Sequence, residues 1–316
     1  MKNSSCLPRL LCSLILGFCM LLPATAQQPA AYATDTDGQT LRNRAIYDRI
    51  ALALQDDTAL PLPRLVVQVA LQLLGTPYVA ATLESEPERL QVFLDKTDCI
   101  LYVELSVCLA LTLKGCRIVQ AGDGRRFVQN PIPSLAQDTP SYALLLDNIR
   151  NMRYRLGVVD GYASRLHYTS EWLLQNSTNG ILSEYTRELG QEFDQQFFYM
   201  SAHPEAYSPL SRDVCELGKI RMIEELLNSQ KPYFFITQDS LRRPGVMAAI
   251  QTGDIITFIS PRPGLDLAHV AIAYELPDGM HFLHASYAAG KVIIEPRLLA
   301  DYAPHGLRIS RLSSLP

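Results

Sequence analysis

The chain has 316 residues, with 28 basic against 32 acidic side chains and a formal net charge of −4. That mildly acidic balance argues against a nucleic-acid partner, which would be held by many phosphate contacts. A hydrophobic fraction of 48%, with no repeat or low-complexity tract, fits a globular protein with one large domain, or a core and a smaller one.

The first residues read as an export signal. Lys2 and Arg9 make a positive start, and Leu10 to Leu22 is an apolar run too short to span a bilayer. Ala24-Thr25-Ala26 supplies a small-residue cleavage pattern. Residues 1–26 are therefore expected to be removed, giving an exported, periplasmic protein that starts near Gln27. Loss of Lys2 and Arg9 takes the net charge from −4 to −6. No later stretch is long and apolar enough for an integral membrane segment.

Residues 27–63 read as a polar segment followed by a helix over 43–57, with Ile46, Ile50, Leu52 and Leu54 among its apolar positions. Pro61 and Pro63 break the chain, and a second helix runs from about Arg64 to Leu74, stopping at Gly75. The loop GTPYVAATLE turns at Gly75 and Pro77. The segment DCILYVELSVCLALTL (98–113) is apolar nearly all round, the pattern of a helix buried in a core. Asp98 and Cys99 fall in its first turn. A proline-rich loop then leads to a helix around 140–154, GYASRLHYTSEWLLQN (161–176) passes from loop into helix, and another helix lies near 211–229. The last third changes period. GDIITFI, AHVAIAYE, MHFLHAS and KVIIEP are short, β-branched and bounded by Gly, Pro and Asp, which predicts a strand meander. Helices first and antiparallel strands last is the α+β pattern.

Three of the seven cysteines lie in the signal segment, leaving Cys99, Cys108, Cys116 and Cys215. Cys99 and Cys108 are too far apart along one helix to bond, so Cys116 with Cys215 is the one disulfide entertained. No CxxC or HExxH pattern occurs, and no metal site is expected.

A cysteine at a helix start sits where unpaired backbone N–H groups and the dipole favour a thiolate, and the Cys99 N–H can help hold an oxyanion. Taken alone, such a cysteine is more often just a small buried apolar residue. The strand pair around Pro277-Asp278-Gly279 shifts that balance. If Leu276 pairs with Gly279, Ala271 faces His284 and His269 faces Ser286. The two histidines are then diagonal neighbours on one face, about 7–8 Å apart; a bulge at Gly279 would move this by a residue. Cysteine and histidine pair together form a nucleophile–base–orienter set. His281 points to the other face and is given no role.

GTPYVAATLE, DCILYVE, LDLAHVAIAYE and LHAS together resemble the NlpC-type papain-like cysteine peptidases of bacterial cell walls. The resemblance is closest to the N-acetylmuramoyl-L-alanine amidase-like branch, which also shows segments like GYASRLHYTSEW and MSAHPEAY, and it runs from about residue 64 to 312. It implies a papain-like domain over 64–316: N-terminal helices, a buried nucleophile helix, a helical insertion over about 120–250 and a C-terminal antiparallel sheet. It also implies that Cys99 is the nucleophile, His269 the general base and His284 the orienter of the imidazole. Tyr78 matches an active-site loop tyrosine able to donate toward the oxyanion. Glu84, Arg165 and His167 fall in branch-specific motifs, where substrate recognition competes with plain salt bridging or helix capping.

The implied activity is cofactor-free cysteine amidohydrolysis of a peptidoglycan-derived muropeptide, between N-acetylmuramic acid and L-alanine. The alternatives are a stem-peptide endopeptidase or an inactive muropeptide-binding module. Two departures stand out. Ile100 and Leu101 follow the cysteine where the branch more often shows small hydroxyl residues, which is expected to narrow the pocket. The segment YFFITQDSL lacks a Pro-Lys pair. The roughly 170 residues between Cys99 and His269 are expected to wall the cleft. Arg165 there would suit an anionic stem peptide, and Tyr168 and Trp172 would suit sugar rings.

Overall fold

The computed structural model describes residues 37–130 and 140–315. The expected signal segment 1–26 lies outside these residues, as does most of the proline-rich loop. The first helix, α1 (Asp37–Ala53), begins earlier than hydrophobic spacing suggests. Its buried stripe continues N-terminally from Tyr47, Ile50 and Leu54 through Asn43 and Gln39, polar residues that an apolar periodicity does not register. Asn43 donates to the Val92 carbonyl and accepts from the Leu94 N–H, both at 2.9 Å, and Gln39 donates to Asp95 at 2.9 Å. The segment ahead of Cys99 is thereby tied to α1. Leu52, expected on the apolar face, is exposed instead.

α2 (Leu62–Gln72) starts before Arg64, because Pro63 sits in its first turn, where a missing N–H leaves nothing unpaired. Gly75 follows with φ +81°, a left-handed conformation that glycine adopts without strain. The buried helix, α3 (Cys99–Leu113), starts where expected because Asp98 caps it, accepting the Leu101 N–H at 2.9 Å. Ser106 and Thr112 remain buried in α3 by donating to the Tyr102 and Cys108 carbonyls, both at 2.7 Å.

A hairpin of β1 (Arg117–Gln120) and β2 (Arg126–Gln129) follows, then α4 (Tyr142–Arg153) and α5 (Thr169–Thr178). Next come β3 (Leu182–Glu184), α6 (Thr186–Leu189) and β4 (Gln191–Phe193). Two short helices, α7 (Tyr199–Ala202) and α8 (Ser208–Arg212), precede α9 (Val214–Ser229). α9 starts at Val214 because Asp213 accepts from the Cys215 and Glu216 N–H groups. Then follow β5 (Tyr233–Phe235), paired with β4, and α10 (Gln238–Leu241) and α11 (Pro244–Ala249). The stretch expected to be a helical insertion thus also carries strands, and β3 joins the main sheet.

The strand meander is present as β6 (Ile255–Ile259), β7 (Leu267–Leu276), β8 (Gly279–Ser286) and β9 (Lys291–Ile294). After α12 (Leu299–Tyr302), a strand not foreseen from the sequence, β10 (Leu307–Leu312), returns to the other side of β6. The main sheet therefore has the order β3-β10-β6-β7-β8-β9, antiparallel throughout. One face buries Val270, Ile272, Leu283 and Ala285 in a core shared with α2, α3 and α4. The opposite face buries Phe258, Ala271 and Phe282 with Leu299 of α12. The expected register, Leu276 opposite Gly279, is present, but the β7–β8 ladder ends at Ile272↔Leu283. Beyond that pair the strands part, and both site histidines lie in the parted stretch. Across β6, the register slips between Phe258↔His269 and Ile259↔Leu267, a bulge beside His269 of the kind that re-aims a side chain.

Candidate active site

Cys99 opens α3, and its sulfur lies against β7: the N–H groups of Val270, Ile100 and Cys99 itself favour the thiolate. They do not prevail. Burial first, and then the neighbouring Asp98 carboxylate, push the Cys99 thiol up to about 12. Contrary to expectation, the helix start therefore does not preform a thiolate. The resting group is a neutral thiol, because the desolvation cost of a buried charge outweighs a partial helix charge.

His269 and His284 meet directly, with His269 Nε2 and His284 Nδ1 2.7 Å apart and the rings nearly perpendicular. His284 Nε2 in turn lies 3.3 Å from Oε2 of Glu295, close enough for charge pairing though off the line of a good hydrogen bond. Burial lowers His269 to about 3, with the charge of His284 acting in the same direction, and burial lowers His284 to about 4. Both imidazoles are thus neutral at pH 7. Burial opposes ionisation of Glu295, but hydrogen bonds from the Arg297 side chain (2.7 Å) and backbone hold its carboxyl below the usual range. The Arg297 guanidinium also lies over the Tyr302 ring, 4.4 Å from its centre, and Tyr302 packs edge-on to His284.

Glu295 is the residue that sequence reasoning missed. Its backbone N–H bonds the Phe282 carbonyl, and Ile293 is paired with His284, so Glu295 lies on the His284 face, one diagonal step away. That is the same offset that brings the two histidines together, and it could have been read from KVIIEP. His281, assigned no role, is buried with Nδ1 on the Glu295 carbonyl at 2.9 Å, where it helps hold that residue's backbone.

The Tyr78 loop clamps the chain just before Cys99. Val79 N–H bonds the Thr97 carbonyl (2.8 Å), Thr97 N–H the Pro77 carbonyl (3.0 Å), and Tyr78 N–H the Gly290 carbonyl (2.9 Å). The Tyr78 hydroxyl is pushed up to about 12 by burial first and then by Cys99 and Asp98, whose ionised forms would oppose its own, so it keeps its proton and can act as a donor. Its ring packs edge-on to Tyr287 at 5.5 Å.

Glu84, Arg165 and His167 come together on another side of α3, around a cavity of about 170 Å³ that Asp98, Ile100 and Leu101 also border. Arg165 pairs with Glu84 at 3.0 Å and approaches Glu88 at 3.6 Å. Its charge is thus paired within the protein, while its Nε–H has no hydrogen-bond partner among the described residues. His167 bonds the Tyr162 carbonyl (2.8 Å) and stacks on that ring; burial and then Arg165 lower it to about 3. Tyr168 and Trp172 are buried, so neither offers an open face to a sugar ring, contrary to the expectation for those two residues. Beneath the cavity, Arg153 and Glu104 form a buried ion pair (Nε to Oε1, 2.9 Å). The entertained Cys116–Cys215 bridge is not formed: the Cys116 sulfur instead donates to Asn130 Oδ1 at 3.6 Å, and Cys99 and Cys108 carry free thiols. Among the described residues, no group of three or more His, Cys, Asp or Glu side chains is arranged to hold a metal ion. None of their helices is long and apolar enough to cross a membrane.

Comparison with known families gives a match over residues 68–305 to the N-acetylmuramoyl-L-alanine amidase-like family. The chain belongs to that family. Solved structures agree. A Bacteroides uniformis protein named an N-acetylmuramoyl-L-alanine amidase is 29% identical, with a TM-score of 0.65, covering 78% of this chain and 98% of its own. A Bacteroides fragilis protein named as a candidate xylanase is 31% identical, with a TM-score of 0.63, covering 77% of this chain and 99% of its own. A Legionella pneumophila protein at 17% identity shares the fold, with a TM-score of 0.61 over 89% of this chain and 98% of its own. A search among curated proteins finds no match. The α+β architecture of this amidase-like chain, helices followed by an antiparallel sheet, is thus that of its structural neighbours.

Proposed function

We propose that this chain is an exported, periplasmic cysteine amidase with a papain-like, NlpC-type core, and that it cleaves the amide between N-acetylmuramic acid and L-alanine in soluble peptidoglycan fragments. Membership of the amidase-like family supports hydrolysis of a peptidoglycan amide in general. The observation that carries the cysteine mechanism is the row His269–His284–Glu295 beside the helix that begins with Cys99. Glu295 favours a proton on His284 Nε2, so His284 Nδ1 accepts from His269 Nε2–H. That leaves the His269 Nδ1 lone pair free to act as a base.

In the reaction so derived, His269 Nδ1 takes the Cys99 proton as sulfur attacks the lactyl carbonyl carbon. Proton transfer is coupled to attack because the resting thiol and imidazole are both neutral. The oxyanion is held by the Cys99 N–H and the Tyr78 hydroxyl. The C–N bond breaks as His269 returns the proton to the L-alanine nitrogen, leaving a thioester. Water then attacks that carbonyl with His269 as base, the C–S bond breaks, and the thiolate recovers the proton. The name of the xylanase-like neighbour has no counterpart in this chemistry. Glycosidic cleavage usually needs two carboxyl groups flanking the bond, and the carboxylates here are otherwise engaged, Glu295 on His284 and Arg297 and Asp98 on the Leu101 N–H.

The deciding experiment is digestion of a soluble muropeptide alongside its sugar-free stem peptide, read by mass spectrometry. Release of intact stem peptide with a free N-terminal L-alanine is expected. Cleavage of the sugar-free peptide at an internal bond would instead make the chain an endopeptidase.

A further inference from the structure

We infer that the cavity bordered by Thr82, Leu101, Leu166 and Trp172 receives the acetamido group of an N-acetylated amino sugar. This deepens the proposed function and rests on it. The size fits a substituent: about 170 Å³ is room for roughly five or six water molecules, too little for a peptide stem. The position fits as well, because Asp98 and Ile100, the residues on either side of Cys99, border the same cavity.

Charge then limits the class of ligand. The two guanidiniums at the cavity are already engaged, Arg153 by Glu104 and Arg165 by Glu84 and Glu88. The Asp98 carboxylate is engaged by the Leu101 N–H. An anion would meet three bordering carboxylates against two ion-paired arginines, and a cation would have to displace one of those arginines. A neutral polar group meets neither penalty.

Among the described residues, three donors at the cavity lack a hydrogen bond: the Arg165 Nε–H, whose charge faces Glu88 at 3.6 Å, and two neutral groups. Trp172, only 2% exposed, has an indole N–H with no partner among the described residues, and the buried Thr82 hydroxyl has none either. A buried donor left unpaired is costly, so such a pair is more economically read as waiting for a ligand. An acetamido group supplies a carbonyl oxygen for the indole N–H, an N–H for the Thr82 oxygen, and a methyl for the Leu101 and Leu166 side chains. The loop is set for this by an uncommon backbone: Ala81, next to Thr82, has φ +57°, a left-handed conformation that non-glycine residues adopt at a cost.

The test uses the full chain with Cys99→Ala, which removes turnover, and two probes. One is N-acetylmuramoyl-L-alanine; the other is the same compound, with the same charge on its alanine carboxylate, bearing a hydroxyl in place of the acetamido group. Calorimetric titration is expected to show the acetamido ligand binding about tenfold or more tightly, with that ratio shrinking severalfold in Trp172→Phe and in Thr82→Val. Because Trp172 is buried, Thr82→Val carries the conclusion should Trp172→Phe fail to fold. Equal affinities, no binding of the acetamido ligand, or an unchanged ratio in the folded variants would overturn the inference. Digestion of the first probe by the unsubstituted enzyme separates the two readings. No release of L-alanine alongside a preserved acetamido preference defeats the amidase reading and supports the cavity assignment. Release without any preference does the reverse.

Discussion

The two flanks of α3 are built on opposite principles. On the sheet side, His269, His284, Glu295 and Arg297 each find a neighbour within the protein, and the row is set before any substrate arrives. On the cavity side, ion pairs use up the charges while the Trp172 N–H and the Thr82 hydroxyl are left over. A group that must move a proton is useful only in one tautomer and one orientation, so it is held by its own partners. A group that must recognise a ligand is useful only if its partner is missing. In the proposed mechanism this contrast gives proton transfer to one flank and selection of substrate to the other.

The largest expected effect lies where the flanks meet. Cys99→Ala should lower turnover at least about a thousandfold while the melting temperature stays near that of the parent. Cys108→Ala, on the same helix but enclosed in the core, should keep its rate within a few-fold. Comparable turnover in Cys99→Ala, measured by product release, would break the comparison at its root. Next comes the sheet row. His284→Ala should lose on the order of a hundredfold, and His284→Asn less, since an amide oxygen still accepts from His269. Glu295→Gln should cost about tenfold in kcat with little change in KM. Identical losses in the Ala and Asn variants of His284 would mean that its acceptor role is wrong.

A pH series sharpens the same flank. His269 must be neutral to act as base and titrates near 3 in the fold, so kcat/KM should stay level from pH 7 down to about 4 and fall below that. The Glu295 charge raises both histidines, so Glu295→Gln should move this acid limb to still lower pH. Stability has the opposite sensitivity. His167, His269 and His284 sit below the ordinary value of 6.5, so the unfolded chain binds more protons below that pH. Their contribution to stability is complete above about pH 6.5 and is lost as pH falls toward 3–4, which thermal melts across that range will register. The smallest effect is expected from Glu84→Gln. Its carboxylate is half-exposed, and Arg165 keeps Glu88 nearby, so a change of under about 1 kcal/mol in melting experiments is expected.

Legibility in the sequence tracked periodicity. The fully apolar run 98–113 appeared as α3 with its Asp98 cap, and the β-branched runs of the last third appeared as β6 to β9. α1 was placed late because Asn43 and Gln39 are buried through hydrogen bonds, which leave no mark in hydrophobicity. The strand β10 was missed, and with it the far edge of the sheet. Glu295 was missed for a different reason: reading His269 and His284 required only one hairpin register, and Glu295 required the next one as well.

By itself the sequence determined which residues could carry the chemistry: a cysteine behind a helix cap, and two histidines an odd number of residues from a turn, on one strand face. Those are short-range facts, set by backbone geometry over a few residues. Only the tertiary structure decided the state of those groups. Burial made the thiol and imidazoles neutral, the end of the β7–β8 ladder separated the strands at the site, and Glu84 and Glu88 claimed the charge of Arg165. Each of these depends on what the fold brings within a few ångströms from distant parts of the chain, and desolvation and charge pairing act at that range whatever the order of residues.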